Sequence, residues 1–138
     1  MPGYPAGMII RRISLLVGLA ALMGFAVALA DTPAAAEPGA SIEYMLARVA
    51  SSDVVFVRNG KSHTAAEAVD HMRLKYEYYE DRIRTPEDFI RWAATKSVLS
   101  GRPYKIRDES GEVPAAEWMH RLLTEYRESQ QALNVVPK

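Results

Sequence analysis

The segment from Thr85 to Ile106 reads TPEDFIRWAATKSVLSGRPYKI, and its local signals decide the fold. Thr85 is a preferred helix N-cap residue, and the proline and two acidic residues after it suit the first turn of a helix. Apolar and small residues then recur with helical spacing as far as Ser97. The Ser-Gly pair at 100–101 is typical of a helix end, and the Arg-Pro pair after it favours an extended chain. The segment therefore predicts a central helix that leads directly into a strand.

Residues 1–30 have the pattern of an export signal. Arg11 and Arg12 precede an uncharged run that ends at Ala30, and Ala28-Leu-Ala30 matches the small-x-small pattern of a signal-peptidase site. We interpret this segment as a signal peptide and expect a periplasmic or secreted protein. The run is also about as long as a short membrane span. The alternative is therefore an uncleaved N-terminal helix that anchors the protein in the inner membrane.

The composition of the chain excludes several classes of function. Its 138 residues include 17 Lys and Arg and 17 Asp and Glu, which leaves no basic surplus for binding nucleic acid. The absence of cysteine excludes disulfides and thiolate metal sites. The three histidines do not form a metal-binding pattern in the sequence, so we predict no metal and no cofactor. We expect membrane contact only through the signal segment before its cleavage.

The remaining chain predicts a linker and one domain. Residues 31–40 are rich in proline and alanine without periodicity, which predicts a flexible linker, and residues 41–133 are long enough for one domain. Ser41 is expected to cap the first helix, whose apolar residues recur at helical spacing. A strand over 54–57 follows, and Asn59-Gly60 is a strong signal for a β-hairpin.

Two further helices and a second hairpin complete the predicted domain. Thr64 and Glu67 have the spacing of a capping box at the start of a long helix. After the central helix, a strand over 104–107 and a turn over 108–111 predict the second hairpin. Pro114 then begins the last helix. Its inward residues are predicted to be Trp118, Met119, Leu122, Tyr126 and Leu133.

The fold class predicted from these elements is α+β, with a small antiparallel sheet built from two hairpins and packed against about four helices. The order helix, strand, glycine turn, strand, helix occurs twice, and Ala-Ala-Glu begins the closing helix of each half at 65–67 and 115–117. The domain can therefore be interpreted as two α-β-β-α halves. Ala-Ala-Glu is also a common way to begin a helix, which is the simpler interpretation.

The domain resembles a known family over about residues 41–127. The resemblance is carried by these residues and motifs: Phe56-Val-Arg-Asn-Gly60, Ala65, His71, Lys75, Thr85-Pro-Glu-Asp-Phe-Ile90, Ser97, Ser100-Gly-Arg-Pro-Tyr-Lys-Ile106, Gly111 and Trp118. They resemble the exported bacterial family catalogued as domain of unknown function 5329 (YfeK-like). The resemblance implies a periplasmic or secreted α+β domain and no particular activity.

Four polar residues form the candidate ligand-binding group. His71 and Lys75 lie one turn apart beside the apolar stripe of the long helix, Arg58 ends the first strand, and Tyr104 begins the strand after the central helix. If the two hairpins share a sheet, these side chains gather on one side of it. They would then form either a ligand site or a half-buried polar seam that ties the domain together. Tyr78, which lies off the buried stripe, is a candidate for a carbohydrate or partner surface.

Two functional hypotheses follow from this group. The first is a non-enzymatic envelope module that binds a partner protein or a cell-wall component, with no catalytic residues. The alternative is a small hydrolase or lyase that uses His71 with Lys75 or Glu67. A closed polar seam beside His71 favours the first hypothesis, and a concave pocket where Arg58, His71 and Tyr104 converge favours the second.

We expect the exported protein to begin at Asp31, because the signal-peptidase pattern ends at Ala30. Mass spectrometry of the protein from the envelope fraction should detect the loss of residues 1–30. A membrane-bound protein with an intact Met1 would contradict this expectation.

Overall fold

A computed structural model describes residues 38–135 of the chain. The predicted signal helix at 1–30 lies outside the described residues, as does the predicted linker up to residue 37. The helices are α1 (Pro38–Ala50), α2 (Ala65–Tyr78), α3 (Pro86–Phe89), which continues as a π-helix (Ile90–Ala94), and α4 (Ala115–Asn134), with a 3-10 turn at Glu80–Arg82. The strands are β1 (Val55–Arg58), β2 (Lys61–His63), β3 (Lys105–Asp108) and β4 (Gly111–Pro114). No helix within residues 38–135 is sufficiently long and apolar to span a membrane.

The two hairpins share one antiparallel sheet with the strand order β2-β1-β3-β4. Phe56 of β1 lies opposite Ile106 of β3, and both side chains are buried. Lys105 and Arg107, which alternate with Ile106 along β3, are exposed. Because alternate residues of a strand point to opposite faces, the helices cover one face of the sheet and leave the other open. The predicted α+β class is confirmed.

The predicted turn and cap signals form as expected. Asn59 and Gly60 both have positive φ, 52° and 77°, as a type I′ hairpin turn requires. Thr64 and Glu67 make both hydrogen bonds of a capping box at the start of α2. Thr85 makes the same reciprocal pair of hydrogen bonds with Asp88 at the start of α3.

The first helix begins earlier than the sequence indicated. We predicted Ser41 as its N-cap residue, but α1 already begins at Pro38. The Ser41 hydroxyl is buried and donates a hydrogen bond to the Pro38 carbonyl, at 2.9 Å, instead of accepting one from a backbone N–H group of the first turn. This is the back-bonding that a serine can adopt within a helix.

The central helix is shorter than predicted. The signals placed its end at Ser100-Gly101, but it ends at Ala94 after widening into a π-helix. The Thr95 hydroxyl donates a hydrogen bond to the Ile90 carbonyl at 2.7 Å, so a side chain takes over the hydrogen bonding at the last turn. Residue Ser97, predicted to face inward from the helix, is buried in the loop that follows.

The core lies between the sheet and the helices. It includes buried side chains from all four helices, the two central strands and the segments beside them: Ile42, Met45, Leu46, Val49, Phe56, Ala68, Met72, Ile83, Phe89, Ile90, Ala93, Ala94, Tyr104, Ile106, Ala115, Met119, Leu122 and Leu123. Trp118 is only partly buried, and its ring packs edge-on against Phe56. The inward placement of Leu133 was wrong, because this side chain is 68% exposed near the end of α4, where the helix has passed beyond the core.

The two halves of the domain have matching strand pairing. In the first hairpin Phe56 pairs with His63, and in the second Ile106 pairs with Val113. Ala65 and Ala115, where α2 and α4 begin, are as far apart in the sequence as Phe56 and Ile106. The structure therefore has two successive α-β-β-α halves, in agreement with the repeat interpretation of the sequence.

Truncation of a fully buried aromatic residue tests the assignment of the core. Phe89 is fully buried, so Phe89→Ala should lower the free energy of unfolding by about 3–5 kcal/mol. Leu133→Ala is the control and should change it by less than about 0.5 kcal/mol, because Leu133 is mostly exposed. Chemical denaturation of both variants measures the difference, and equal stabilities would show that the buried faces are wrongly assigned.

Candidate functional site

The pairing of β1 with β3 places Arg58 and Tyr104 side by side. The last pair of this ladder is Val57 with Lys105, so the next position brings Arg58 opposite Tyr104. Both residues lie on the helix-covered face, because each is two residues from a buried residue of the sheet, Phe56 or Ile106. The Tyr104 carbonyl accepts a hydrogen bond from the Ala115 N–H group at 2.9 Å, which fixes this end of the strand to α4.

Helix α2 supplies the other two side chains of the group. His71 and Lys75 are one turn apart, so they project from the same face of the helix towards the end of the sheet. His71 is partly buried, and Lys75 is 9% exposed, which is unusual for a lysine. Sequence periodicity identified Met72 as core, and Lys75 is buried more deeply than the half-buried polar seam that the sequence offered as one alternative.

The four predicted residues form one connected group of side chains. Arg58 Nη1 lies 2.9 Å from His71 Nδ1, and His71 Nε2 lies 2.9 Å from the Tyr104 hydroxyl. Lys75 Nζ donates to the Lys96 carbonyl at 3.0 Å and approaches the Tyr104 hydroxyl at 3.4 Å. The predicted gathering of these residues is therefore correct. Their binding of a ligand stays a prediction.

The hydrogen bonds determine the protonation of the group. A guanidinium can only donate, so Nδ1 of His71 accepts from Arg58, and the ring proton is on Nε2, which donates to the Tyr104 oxygen. The same oxygen accepts from Lys75. Within residues 38–135, no acceptor is hydrogen-bonded to the hydroxyl proton of Tyr104. This proton remains available to an acceptor atom of a ligand.

Burial shifts the pKa values of His71, Lys75 and Tyr104 so that the neutral form of each side chain is favoured. Burial, together with the positive charges of Arg58 and Lys75, lowers the pKa of His71 from 6.5 to about 4, so the ring is neutral at physiological pH. Burial and the charge of Arg58 also lower the pKa of Lys75. Burial raises the pKa of Tyr104, which keeps its hydroxyl protonated. The group therefore carries the positive charges of Arg58 and Lys75.

The described residues supply no carboxylate that is hydrogen-bonded to this group. Glu67, the predicted alternative partner of His71, accepts from the Thr64 N–H group at 2.8 Å and lies 3.8 Å from His63. The Glu67 carboxylate therefore belongs to the capping box and is not hydrogen-bonded to His71. Among the described residues, Arg58 and Lys75 thus lie together without a carboxylate hydrogen-bonded to either, which is the arrangement expected of a site for an anionic group.

Two cavities meet at this group. One of about 340 Å³ lies over the core and is lined by Phe56, Ala68 and Met72, with Glu67 and Asp70 also on its wall. The other, of about 490 Å³, is lined by Lys75 together with Leu74, Tyr78, Val98 and Leu99. Arg58, His71 and Tyr104 line both. Both volumes are in the usual range for small-molecule sites.

Sequence reasoning missed three residues of the larger cavity. Leu74 lies on the polar face of α2, where an isolated apolar residue is common, and Val98 and Leu99 were assigned to the central helix. The only sequence feature that could have identified each of them is an apolar side chain at a position outside the helical period of the buried residues. Among the described residues, no group of three potential metal ligands lies close together.

Comparison with known proteins places the chain in a family. The model of a family of unknown function (DUF5329) matches residues 36–127. The chain belongs to this family. It is also 46% identical over 66 residues to the uncharacterized protein YfeK of Salmonella typhimurium strain LT2. That match covers 47% of this chain and 55% of the relative, so the chain spans about half the length of the curated relative. No solved structure matches the chain.

The lowered pKa of His71 predicts a loss of stability in mild acid. Below about pH 6.5 the unfolded chain takes up a proton at His71, whereas the folded chain does not until about pH 4, so protonation favours unfolding across this window. Between pH 7 and pH 5 we expect a loss on the order of 1 kcal/mol, after an allowance for the partial exposure of the ring.

Denaturant titrations of the wild type and His71→Gln measure this loss. Glutamine can preserve both hydrogen bonds but cannot titrate, so the variant should lose less stability than the wild type over the same pH range. His120→Gln supplies the baseline for replacing an exposed histidine. Equal slopes for the wild type and His71→Gln would show that His71 is not held in the neutral form.

Proposed function

We propose that this protein is an exported binding module that holds an anionic group of its ligand between Arg58, Lys75 and Tyr104. One observation carries the proposal: two cations and an unused hydroxyl proton converge at a cavity that no acidic side chain of residues 38–135 lines. A carboxylate or phosphate could accept hydrogen bonds from all three side chains. His71 would act as a positioning residue, since its two ring nitrogens connect Arg58 to Tyr104.

The electrostatics of the unliganded group support a binding role. Burial lowers the pKa of Lys75, and the positive charge of Arg58 lowers it further because the two positive charges repel each other. A purely structural tie would gain from a carboxylate at this position, because a buried charge is costly unless it is paired. An anionic ligand would provide this missing pairing.

The internal repeat gives a second argument. The displacement that relates the two halves takes Arg58 to Asp108, His71 to Arg121, Lys75 to Glu125 and Tyr104 to Val54. In the second half the positions equivalent to His71 and Lys75 carry exposed ion pairs instead, Arg121 with Glu117 and Glu125 with Arg48, and Asp108 is exposed as well. Tyr104 itself belongs to the second half, and its counterpart in the first half is the apolar Val54. The equivalent positions of the second half therefore fold without Arg58, His71 or Lys75, which favours a role beyond folding for these three residues.

The signal pattern at 1–30 supports a site of action in the cell envelope, with a periplasmic or secreted protein as the product. The ligand would then be an envelope protein or a cell-wall component with an anionic group. The mostly balanced charge of the chain gives no support for nucleic acid as a partner.

A small hydrolase or lyase is the second candidate, because Arg58, His71 and Tyr104 do converge on cavities. The hydrogen bonding argues against it. A general base needs a free lone pair, and Nδ1 of His71 is occupied by Arg58, while Glu67 and Lys75 are bound to backbone groups. Hydrolysis of chromogenic esters by the wild type, lost in His71→Gln, would support the enzyme instead.

Anion titrations test the binding proposal. Inorganic phosphate or acetate, added at constant ionic strength, should raise the melting temperature of the wild type, because ligands that bind the folded state stabilise it. Arg58→Gln keeps a donor for His71 and Lys75→Met keeps the aliphatic stem, and each should weaken binding about tenfold or more.

Arg121→Gln is the matched control, since Arg121 occupies the position equivalent to His71 in the other half and is exposed. It should bind anions as the wild type does. Anion effects of the same size in Arg58→Gln, Lys75→Met and Arg121→Gln would overturn the proposal.

A further inference from the structure

Exposed apolar side chains concentrate at one place on the described surface. Six large apolar residues within residues 38–135 are mostly exposed: Leu74, Tyr78, Val98, Leu99, Leu133 and Val135. The first four all line the larger cavity, together with Lys75, Arg58 and Tyr104. Leu99 is 98% exposed and Tyr78 is 80% exposed. We call these four residues the apolar rim. An exposed apolar group of this kind is typical of a binding surface.

The apolar rim belongs to anchored parts of the structure. Leu74 and Tyr78 lie one turn apart on α2. Val98 and Leu99 lie in the loop after the central helix, which is closed by hydrogen bonds from Ser97 N–H to the Arg102 carbonyl and from Gly101 N–H to the Ser97 carbonyl. Ser100 also donates to the Asn59 side chain at 2.5 Å, which ties the loop to the first hairpin. The fold thus holds Val98 and Leu99 beside the cavity.

We propose that the ligand is an anionic amphiphile, with its head group at Arg58, Lys75 and Tyr104 and its aliphatic chain against the apolar rim. This inference rests on the proposed anion site and adds the chemical class of the ligand. The cavity offers two kinds of contact, positive charge at Lys75 and Arg58 and apolar surface around them, and no acidic side chain lines it among the described residues. An acyl chain with a carboxylate or phosphate head matches both.

A peptide is a poorer match to the same cavity. Peptides that bind in an extended form pair with a free strand edge, but β1 is already paired on both sides, with β2 and β3. The cavity therefore leaves the backbone of such a peptide without hydrogen-bond partners. A general attraction to anionic membranes is not supported either, because the chain has equal numbers of acidic and basic residues.

Binding of decanoate to protein purified after expression of the full chain tests the inference. Isothermal titration below the critical micelle concentration should give tighter binding for decanoate than for acetate. Affinity should rise by up to about fourfold for each methylene that is buried as the chain is lengthened. Decanol, which lacks the charge, should bind about tenfold or more weakly than decanoate. A soluble short-chain phosphatidylglycerol, compared with decanoate, then distinguishes a phospholipid from a free fatty acid as the source of the head group.

Protein variants distinguish the contribution of the anionic head group to binding from that of the aliphatic chain. Leu99→Ser, which adds no charge, should weaken the dependence on chain length, whereas Leu133→Ser, which alters an exposed leucine outside the cavity, should behave as the wild type. Arg58→Gln should weaken the binding of acetate and of decanoate alike.

If acetate and decanoate bind equally well, the apolar rim has no role and the proposed amphiphile is wrong, although the anion site stands. If neither binds, both proposals fail. Tighter binding of a peptide ending in an apolar residue than of decanoate would overturn the choice of ligand.

Discussion

The central strands β1 and β3 pair in antiparallel register with Phe56 opposite Ile106, and both the core and the candidate site depend on this pairing. It joins the two hairpins into one sheet, so the helices of both halves pack over the same apolar face. It also fixes Arg58 beside Tyr104, at the point where the ladder ends. A change of register by one residue would turn Phe56 and Arg58 to the open face together. The register that builds the core therefore also builds the polar group.

The two halves share an architecture but differ in the chemistry of equivalent positions. Around the first hairpin the covered face ends in Arg58, His71, Lys75 and Tyr104, which are joined by hydrogen bonds. The second-half equivalents of His71 and Lys75 lie at the surface, where solvent screens their ion pairs, and such pairs contribute about 1 kcal/mol or less. The fold can thus be stabilised by the apolar positions that the halves share, while Arg58, His71 and Lys75 are free to serve a ligand together with Tyr104 of the second half.

Much of the fold could be predicted because its signals are local. The hairpin at Asn59-Gly60 and the capping boxes at Thr64 and Thr85 depend on residues within a few positions of one another. The end of the central helix could not be predicted, because the Thr95 hydroxyl and the loop around Ser97 replace the expected helical hydrogen bonds. The candidate site was predicted from topology alone, since a shared sheet brings Arg58 to Tyr104. Of the apolar rim only Tyr78 was singled out as a partner surface, because Val98 and Leu99 become neighbours of Leu74 only through the loop that the sequence pattern had assigned to a helix.

The buried position of Lys75 links stability to binding. Its side chain is buried, and its ammonium group donates to the Lys96 carbonyl and lies over the Tyr104 ring at 5.1 Å. These contacts offset part of the desolvation of the charge, but the neighbouring Arg58 opposes it. The free protein thus retains an electrostatic cost that an anion would remove, and anion binding would stabilise the folded state by an amount that grows with the logarithm of the ligand concentration above its dissociation constant. The domain is therefore less stable with these two neighbouring cations than it would be with a protein carboxylate between them. Such a carboxylate would stabilise the domain, but it would also occupy the place of the ligand. The absence of such a carboxylate among the described residues is the feature of the structure that most clearly favours binding over a purely structural role.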